Sequence, residues 1–130
     1  MGLVNARMTL RNAKKPELQP LEVDVLADSG AVHLCIPEHV SIQLELDEFD
    51  RREVTLADGS RRIVSYVGPL LLTVANRKGL AGAMVLGNEV LLGAIPVEDL
   101  DLVVVPGTRR VIPNPANPNI AGSIAKGLPR

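Results

Sequence analysis

Aromatic residues are nearly absent from this sequence, which has one Phe, one Tyr and no Trp among 130 residues. Apolar residues nevertheless make up 46% of the chain. The core must therefore be built from aliphatic side chains, of which the branched ones favour strands. A chain of about 130 residues buries roughly two thirds of its unfolded surface, which is enough to fold without cross-links. The composition predicts one domain rich in β-structure.

An excess of charge of either sign is also missing. Fourteen basic and 15 acidic residues leave a formal net charge of −1. Nucleic-acid binding depends on neutralising phosphates with Lys and Arg and, for single strands, on stacking bases against aromatic rings. Because the chain has neither a basic excess nor aromatic residues, we expect no nucleic-acid partner.

Cysteine occurs once, at Cys35, so an internal disulfide is excluded and a reducing compartment is favoured. The longest apolar run, residues 80–87, is far shorter than the roughly 20 residues that cross a bilayer. Arg7 interrupts the place where the apolar core of a secretory signal would lie. These absences predict a cytoplasmic protein with no membrane partner.

Short apolar segments separated by turn residues have the spacing of an all-β protein. Strands are predicted at residues 3–11, 21–26, 32–36, 54–56, 63–67, 70–74, 80–86, 90–93, 102–105 and 110–112. Asp58-Gly59 predicts a hairpin turn, because Gly adopts positive φ without a Cβ penalty. Pro37 can open a single helical turn, and Pro96 predicts one short helix. The domain is placed at residues 1–112, and the Pro-rich residues 113–130 are predicted to form an extended or flexible tail.

The sharpest local motif is Asp28-Ser29-Gly30-Ala31, which follows one predicted strand and precedes another. A later motif, Leu91-Leu92-Gly93, stands just before the predicted helix. An Asp-Ser/Thr-Gly loop, a flap-like hairpin and an apolar-apolar-Gly turn, in this order, closely resemble the retropepsin-like (clan AA) aspartic proteases. The closest resemblance is to their small bacterial and archaeal members, and it covers roughly residues 20–112.

The resemblance implies a closed β-barrel of the acid-protease fold with one short helix, assembled as a homodimer. It also implies an aspartic endopeptidase that needs no metal or other cofactor. Asp28 would be the catalytic carboxylate, the Ser29 hydroxyl would lock the loop, and Gly30 would allow the backbones to approach closely.

The resemblance further implies a substrate-binding region and a supporting turn. Ala31 and the hairpin residues Ala57, Asp58, Gly59 and Ser60 would contact a peptide or protein substrate. Leu91, Leu92 and Gly93 would support the site from below.

The number of Asp-Ser-Gly motifs predicts the oligomeric state. The chain contains one such motif, because Asp58-Gly59-Ser60 has a different order and stands at the predicted hairpin tip. Two carboxylates held about 3 Å apart keep one proton between them near neutral pH, so that one acts as base and the other as acid. The second carboxylate must then come from a second chain, and we expect Asp28 of both copies to meet on a two-fold axis.

Two positions differ from the retroviral branch of the family, whose members usually have an Asp two residues after the Gly and an Arg after the later Gly. Val32 and Ala94 stand there instead, so both partners of a supporting ion pair are missing together. Two alternatives to proteolysis stay open. One is a non-catalytic dimer whose groove binds an extended peptide by strand addition. The other is a metal-binding β protein using His33, Cys35 and His39, since zinc accepts nitrogen and sulfur ligands.

Overall fold

The computed structural model describes residues 4–27, 30–105, 107 and 110–125 of the chain. These residues contain nine strands and two short helices. In chain order the elements are β1 (Val4–Asn12), β2 (Leu21–Ala27), β3 (Leu34–Ile36), α1 (Glu38–Gln43), β4 (Asp47–Thr55), β5 (Arg61–Val74), β6 (Arg77–Val85), β7 (Val90–Leu92), α2 (Ala94–Asp99), β8 (Leu102–Val105) and β9 (Arg110–Pro113).

Six strands close into a barrel in the order β1-β2-β7-β3-β6-β5. Antiparallel pairing of β1 with β5, from Thr9 opposite Thr73 to Asn12 opposite Leu70, completes the circle. β4 pairs with β5 outside the barrel, and β8 and β9 form a separate two-stranded sheet. The prediction of a mainly β fold with a closed barrel is confirmed. The prediction of a single short helix is wrong, because α1 and α2 each span six residues.

Aliphatic side chains fill the barrel, as the shortage of aromatic residues requires. Alternate residues of β1 and β2, such as Met8, Leu10 and Val25, point inwards and are almost completely buried. They pack against Leu72 of β5 and Leu92 of β7 in one continuous cluster. Burying each large aliphatic side chain contributes about 1.5–3 kcal/mol, so this cluster is the main source of stability.

Strands β4 and β5 are longer than the sequence predicted. β5 runs for 14 residues through Gly68-Pro69, where two separate segments were expected. Its pairing with β6 shifts register between Val67 and Leu70, so Pro69 lies at an irregularity that tolerates the missing N–H. β4 starts at Asp47, well before residue 54, and its side chains are mostly exposed. An exposed strand has no apolar alternation and therefore carries no sequence signal.

Other boundaries differ from the predictions by a few residues. β3 begins at Leu34 instead of residue 32, and α2 begins at Ala94 instead of Pro96. β6 includes Arg77, which the sequence placed in a connecting loop. The turn from β5 to β6 is formed by Ala75 and Asn76, with Ala75 at φ +52. Among the described residues, no helix has the length and apolar character needed to cross a membrane.

Candidate functional site

β7 lies between β2 and β3, the strands on either side of residues 28–33. It pairs in parallel with β2, with Ala27 opposite Leu92. It pairs antiparallel with β3, with Cys35 opposite Leu91. The chain thus leaves β2, turns, and comes back as β3, while β7 fills the space between the two. This topology places Ala27 and Ala31, which lie on either side of residues 28–30 in the sequence, next to the Leu91-Leu92-Gly93 segment.

The predicted catalytic residues Asp28 and Ser29 lie outside the described residues. Gly30 follows them in an exposed turn, and the half-buried Ala31 comes next. β2 ends at Ala27, which lies opposite Leu92 of β7, and the described chain resumes at Gly30.

The beginning of α2 holds the chain that follows this loop. The N–H of Ala94 donates to the carbonyl oxygen of Ala31 at 2.9 Å, and the N–H of Ile95 donates to that of Val32 at 2.9 Å. N–H groups in the first turn of a helix have no partner within the helix. Here they fix the backbone of the loop, which ties the geometry of the site to α2.

Gly93 makes the close contact between the two motifs. A Cβ at this position would lie 2.4 Å from the carbonyl oxygen of His33 and 2.6 Å from the carbonyl carbon of Val32. The backbone angles of Gly93, φ −84 and ψ −176, are open to other residues. Space, and not backbone conformation, requires a glycine here.

The β4–β5 hairpin ends in a tight turn. The N–H of Gly59 donates to the carbonyl oxygen of Leu56 at 2.9 Å, and Gly59 has φ +86. Oδ1 of Asp58 accepts hydrogen bonds from the Oγ and the backbone N–H of Ser60 at 2.6 and 2.9 Å. These bonds lower the pKa of the Asp58 carboxyl. Ala57 and the other three tip residues are exposed, so their side chains and backbone are open to a ligand.

A small apolar cluster, separate from the main core, fastens the hairpin to the barrel. Its buried members are Cys35 of β3, Val64 of β5 and Met84 of β6. The half-buried residues packed against them are Val54, Tyr66, Leu86 and Leu91. The cluster includes residues of β3 and β7, the two strands next to residues 30–33. This hairpin cluster therefore holds the β4–β5 hairpin against the barrel beside the candidate site.

The two departures from the retroviral pattern lie at the surface. Val32 is 56% exposed, and Ala94 is exposed as well. The missing ion pair therefore leaves no uncompensated charge in the interior, the situation that is most costly. The loop is supported instead by Gly93 and by the hydrogen bonds from α2.

The residues of the metal-binding alternative do not form a metal centre. Across the described ranges, no group of three or more His, Cys, Asp or Glu side chains is placed to hold a metal ion. The thiol of Cys35 donates to the carbonyl oxygen of His33 at 3.9 Å, and burial raises the pKa of that thiol. His39 is exposed on α1. Cys35 thus acts as a small core residue.

A cleft of about 350 Å³ opens beside the junction of β2, β7 and α2. Among the predicted residues, Leu92 and Gly93 line it. Its other walls are Ala27, Ala94, Val97, Glu98, Asp101, Leu102 and Val104. The sequence did not indicate the residues from α2 and β8, because their place beside the loop depends on tertiary packing.

The C-terminal segment is attached to the end of α2 through Asp101. Its carboxylate accepts hydrogen bonds from the side-chain amides of Asn114 and Asn117 and from the backbone N–H of Gly122, at 2.7–3.0 Å. These donors, in the order Gly122, Asn114 and Asn117, lower the pKa of Asp101. Arg77, which is 1% exposed, lies 3.8 Å from the carboxylate. The described part of the predicted tail therefore has defined contacts with the domain.

Comparison with protein-family models found no matching family, and comparison with curated proteins found no matching protein.

Proposed function

We propose that the protein is an aspartic endopeptidase in which Asp28 of two chains together hydrolyse a peptide bond. The observation that carries this proposal is the placement of β7 between β2 and β3. It packs Gly93 against the backbone that directly follows Asp28-Ser29-Gly30. A catalytic carboxylate must be held within a narrow range of positions, and a loop fixed by backbone contacts provides such a support.

The chemistry requires one ionised and one protonated carboxyl group. Ionised Asp28 of one chain takes a proton from a bound water, whose oxygen attacks the peptide carbonyl carbon. Protonated Asp28 of the partner subunit gives its proton to the carbonyl oxygen, forming a neutral tetrahedral intermediate. Asp28 of the first chain, now protonated, gives its proton to the amide nitrogen, and a hydroxyl of the intermediate returns a proton to the partner's Asp28. The C–N bond breaks, leaving a carboxyl and an amine product. No covalent enzyme intermediate forms, so the mechanism is general acid–base catalysis.

A second copy of the chain would supply the missing carboxylate. Val32 and Ile95, whose backbones are joined by a hydrogen bond beside the loop, are 56% and 52% exposed. Adjacent exposed apolar side chains mark surfaces that are covered by a partner. A two-fold contact here would bring the two Asp28 loops towards each other.

The hairpin supplies one wall for the substrate. The hairpin cluster packs it over β3 and β7, and its turn residues remain exposed. An extended peptide lying between the hairpin and the loop would contact Ala31 on one side and residues 57–60 on the other. Exclusion of water by such a cover strengthens the electrostatic interactions of the carboxylate pair.

The decisive experiment measures hydrolysis of quenched-fluorescent peptides by the wild type and by Asp28→Asn from acid to neutral pH. We expect a bell-shaped profile for the wild type and a loss of about 100- to 10,000-fold for the variant. Asp24→Asn is the matched control, because Asp24 lies on β2, the strand that precedes Asp28 in the sequence, and forms only an exposed ion pair with Arg7. Equal hydrolysis by the wild type and Asp28→Asn would exclude the mechanism.

The requirement for two chains is tested by mixing. Excess Asp28→Asn added to the wild type should lower activity in proportion to the heterodimers formed, as each heterodimer has one catalytic carboxylate. Sedimentation measurements give the dimer population under the same conditions. An active protein that is strictly monomeric at the assay concentration contradicts the proposal.

A second candidate is a peptide-binding dimer without catalysis. It is favoured by the outer edge of β4, which has no partner strand among the described residues. Such an edge can accept an extended peptide as an additional strand. A wild-type dimer that binds peptides and hydrolyses none across the pH range supports this candidate over the peptidase.

A further inference from the structure

A second cleft, of about 310 Å³, lies between α2 and β6; we call it the α2–β6 cleft. It uses a different face of α2 from the first cleft: Ile95 and Asp99 line it, whereas Ala94 and Glu98 line the first. Residues four apart on a helix share a face. The two clefts therefore lie on different faces of α2, the helix whose first N–H groups bind the carbonyl oxygens of Ala31 and Val32.

The α2–β6 cleft runs along one edge of β6. Among the described residues, β3 pairs with this edge from Ala83 to Val85, and the preceding part of the edge lies beside α2, while the opposite edge of β6 pairs with β5. A Cβ at Gly79 would lie 3.0 Å from Oδ2 of Asp99, and a Cβ at Gly82 would lie 2.3 Å from the hydroxyl oxygen of Tyr66. Asp99, Leu100 and Tyr66 therefore pack directly on the backbone of β6 at these glycines, and all three side chains line the cleft.

The walls of the cleft combine aliphatic surface with an unpaired carboxylate. Leu80 lines it and is exposed, and Ile95, which also belongs to the surface proposed to meet the second chain, lines its end next to the loop. Asp99 also lines it and has no hydrogen bond or ion pair with the described residues. Arg52 is held against the ring of Tyr66, 4.0 Å from its centroid, and does not pair with Asp99. A long aliphatic stem with a cationic end complements this arrangement.

We propose that the α2–β6 cleft binds a Lys or Arg side chain of the peptide substrate, so that the peptidase prefers a basic residue at one position near the scissile bond. This inference rests on the proposed function. The cleft adjoins the loop because His33, which lines it, directly follows Val32, whose carbonyl oxygen binds the N–H of Ile95. A neutral aliphatic side chain would contact the aliphatic walls without pairing with Asp99. An acidic side chain would be repelled by the Asp99 carboxylate.

The test measures peptide affinity separately from hydrolysis. Labelled peptides carrying Lys, Arg, norleucine or Glu at each position in turn are titrated by fluorescence anisotropy against Asp28→Asn, which holds peptide without cleaving it. At one position we expect Lys and Arg to bind about three- to fivefold more tightly than norleucine, the effect of a partly exposed ion pair. The added change Asp99→Asn should abolish this preference, and Asp99→Lys should turn it towards Glu.

Glu98→Gln provides the matched control. Glu98 is the neighbouring carboxylate on the same helix; it lines the first cleft and, together with Asp99, the cleft beside the C-terminal segment, but it does not line the α2–β6 cleft, so this variant should keep the basic preference. Circular dichroism shows whether each variant remains folded. Equal affinity for all four side chains, or equal loss of preference in the Glu98 and Asp99 variants, overturns the inference.

The outcomes separate the inference from the proposed function. Hydrolysis by the wild type with no basic preference removes the inference and leaves the peptidase. A basic preference in binding that depends on Asp99, without hydrolysis by the wild type, removes the peptidase and leaves the cleft as a peptide-binding site. If no peptide binds measurably and the wild type hydrolyses none, both are excluded.

Discussion

Gly93 and His33 are in direct backbone contact: a Cβ on Gly93 would lie 2.4 Å from the carbonyl oxygen of His33. His33 follows the candidate catalytic loop, and Gly93 begins the segment that leads into α2. The contact therefore couples the position of the loop to that of the helix. Neither partner can move aside easily, because both are held through their main chains.

Replacing Gly93 should lower the free energy of unfolding more than replacing a glycine that has no neighbouring atoms. We expect Gly93→Ala to lower the free energy of unfolding by about 3 kcal/mol, because the methyl group meets backbone atoms. Gly59→Ala should lower it by about 1 kcal/mol, because a Cβ there meets no atom within 4 Å but φ is +86. Urea unfolding measures both. Equal losses would show that Gly93 is not confined by its surroundings.

The side chain of Asn12 links the end of β1 to the end of α1. It is 2% exposed, and its Nδ2 donates to the carbonyl oxygens of Leu44 and Glu45 at 2.8 and 3.2 Å. Asn12→Ala removes the donor from buried carbonyls and should lower the free energy of unfolding by about 2–3 kcal/mol. Asn12→Asp should be worse at neutral pH, because carboxylate oxygens would face these carbonyls.

Asn76→Ala is the control for Asn12. Asn76 is exposed and donates one hydrogen bond, to the carbonyl oxygen of Pro118 at 2.9 Å. Its removal should change the free energy of unfolding by less than about 1 kcal/mol. A similar loss in both Ala variants would contradict the structural role assigned to Asn12.

The contacts of Asp101 predict a pH-dependent contribution to stability. Its pKa is lowered in the folded protein, mainly by the N–H of Gly122 and the amides of Asn114 and Asn117. The stabilisation is therefore complete above the ordinary Asp pKa of about 3.9 and is lost as the pH falls through the lowered value. Asp101→Asn should be less stable than the wild type at neutral pH, and the gap should close in strong acid.

Chemical unfolding at a series of pH values tests this expectation. Asp99→Asn serves as the comparison, since the Asp99 carboxylate has no partner among the described residues. Its curve should follow that of the wild type. A constant difference between the wild type and Asp101→Asn at every pH would argue that the carboxylate charge is not what these donors stabilise.

The hairpin should open more easily than the barrel. Val64 belongs to the hairpin cluster, whereas Leu72 of the same strand belongs to the main core. Val64→Ala should speed amide hydrogen exchange mainly in β4 and the facing half of β5. Leu72→Ala should lower global stability by about 2–5 kcal/mol and speed exchange throughout the barrel. Uniform exchange changes in Val64→Ala would mean that the two clusters unfold together.

The strands could be predicted because buried elements leave a pattern, whereas the closed barrel was implied by the family resemblance. Met8 and Leu10 alternate with polar residues, which predicts a half-buried strand. Asp58-Gly59 predicts a hairpin turn, because Gly adopts positive φ. The first part of β4 could not be found, because it is exposed and its order comes from pairing with β5. Arg77 is a further example: it falls between the predicted strands 70–74 and 80–86, yet it belongs to β6 and is buried beside Asp101. Such burial depends on a partner distant in the sequence.

The candidate site was predictable in its motifs but not in its surroundings. The resemblance indicated that Asp28-Ser29-Gly30 and Leu91-Leu92-Gly93 act together, and the structure brings Gly93 against the chain that follows Gly30. The cleft residues from α2 and β8 had no signal of their own. Their positions depend on helix rotation and strand register, and a shift of one residue in register moves a side chain to the opposite face.

The unpaired edge of β4 affects how the protein behaves in concentrated solution. The exposed N–H and C=O groups of such an edge can pair with a strand of another molecule, and a net charge near zero does little to keep the molecules apart. Six of the nine residues in β4 are charged, with acidic residues at its start and Arg51 and Arg52 near its centre. An incoming strand would have to match this order of signs or leave charges opposed. β4 therefore protects the molecule from aggregation and admits only strands of complementary sequence.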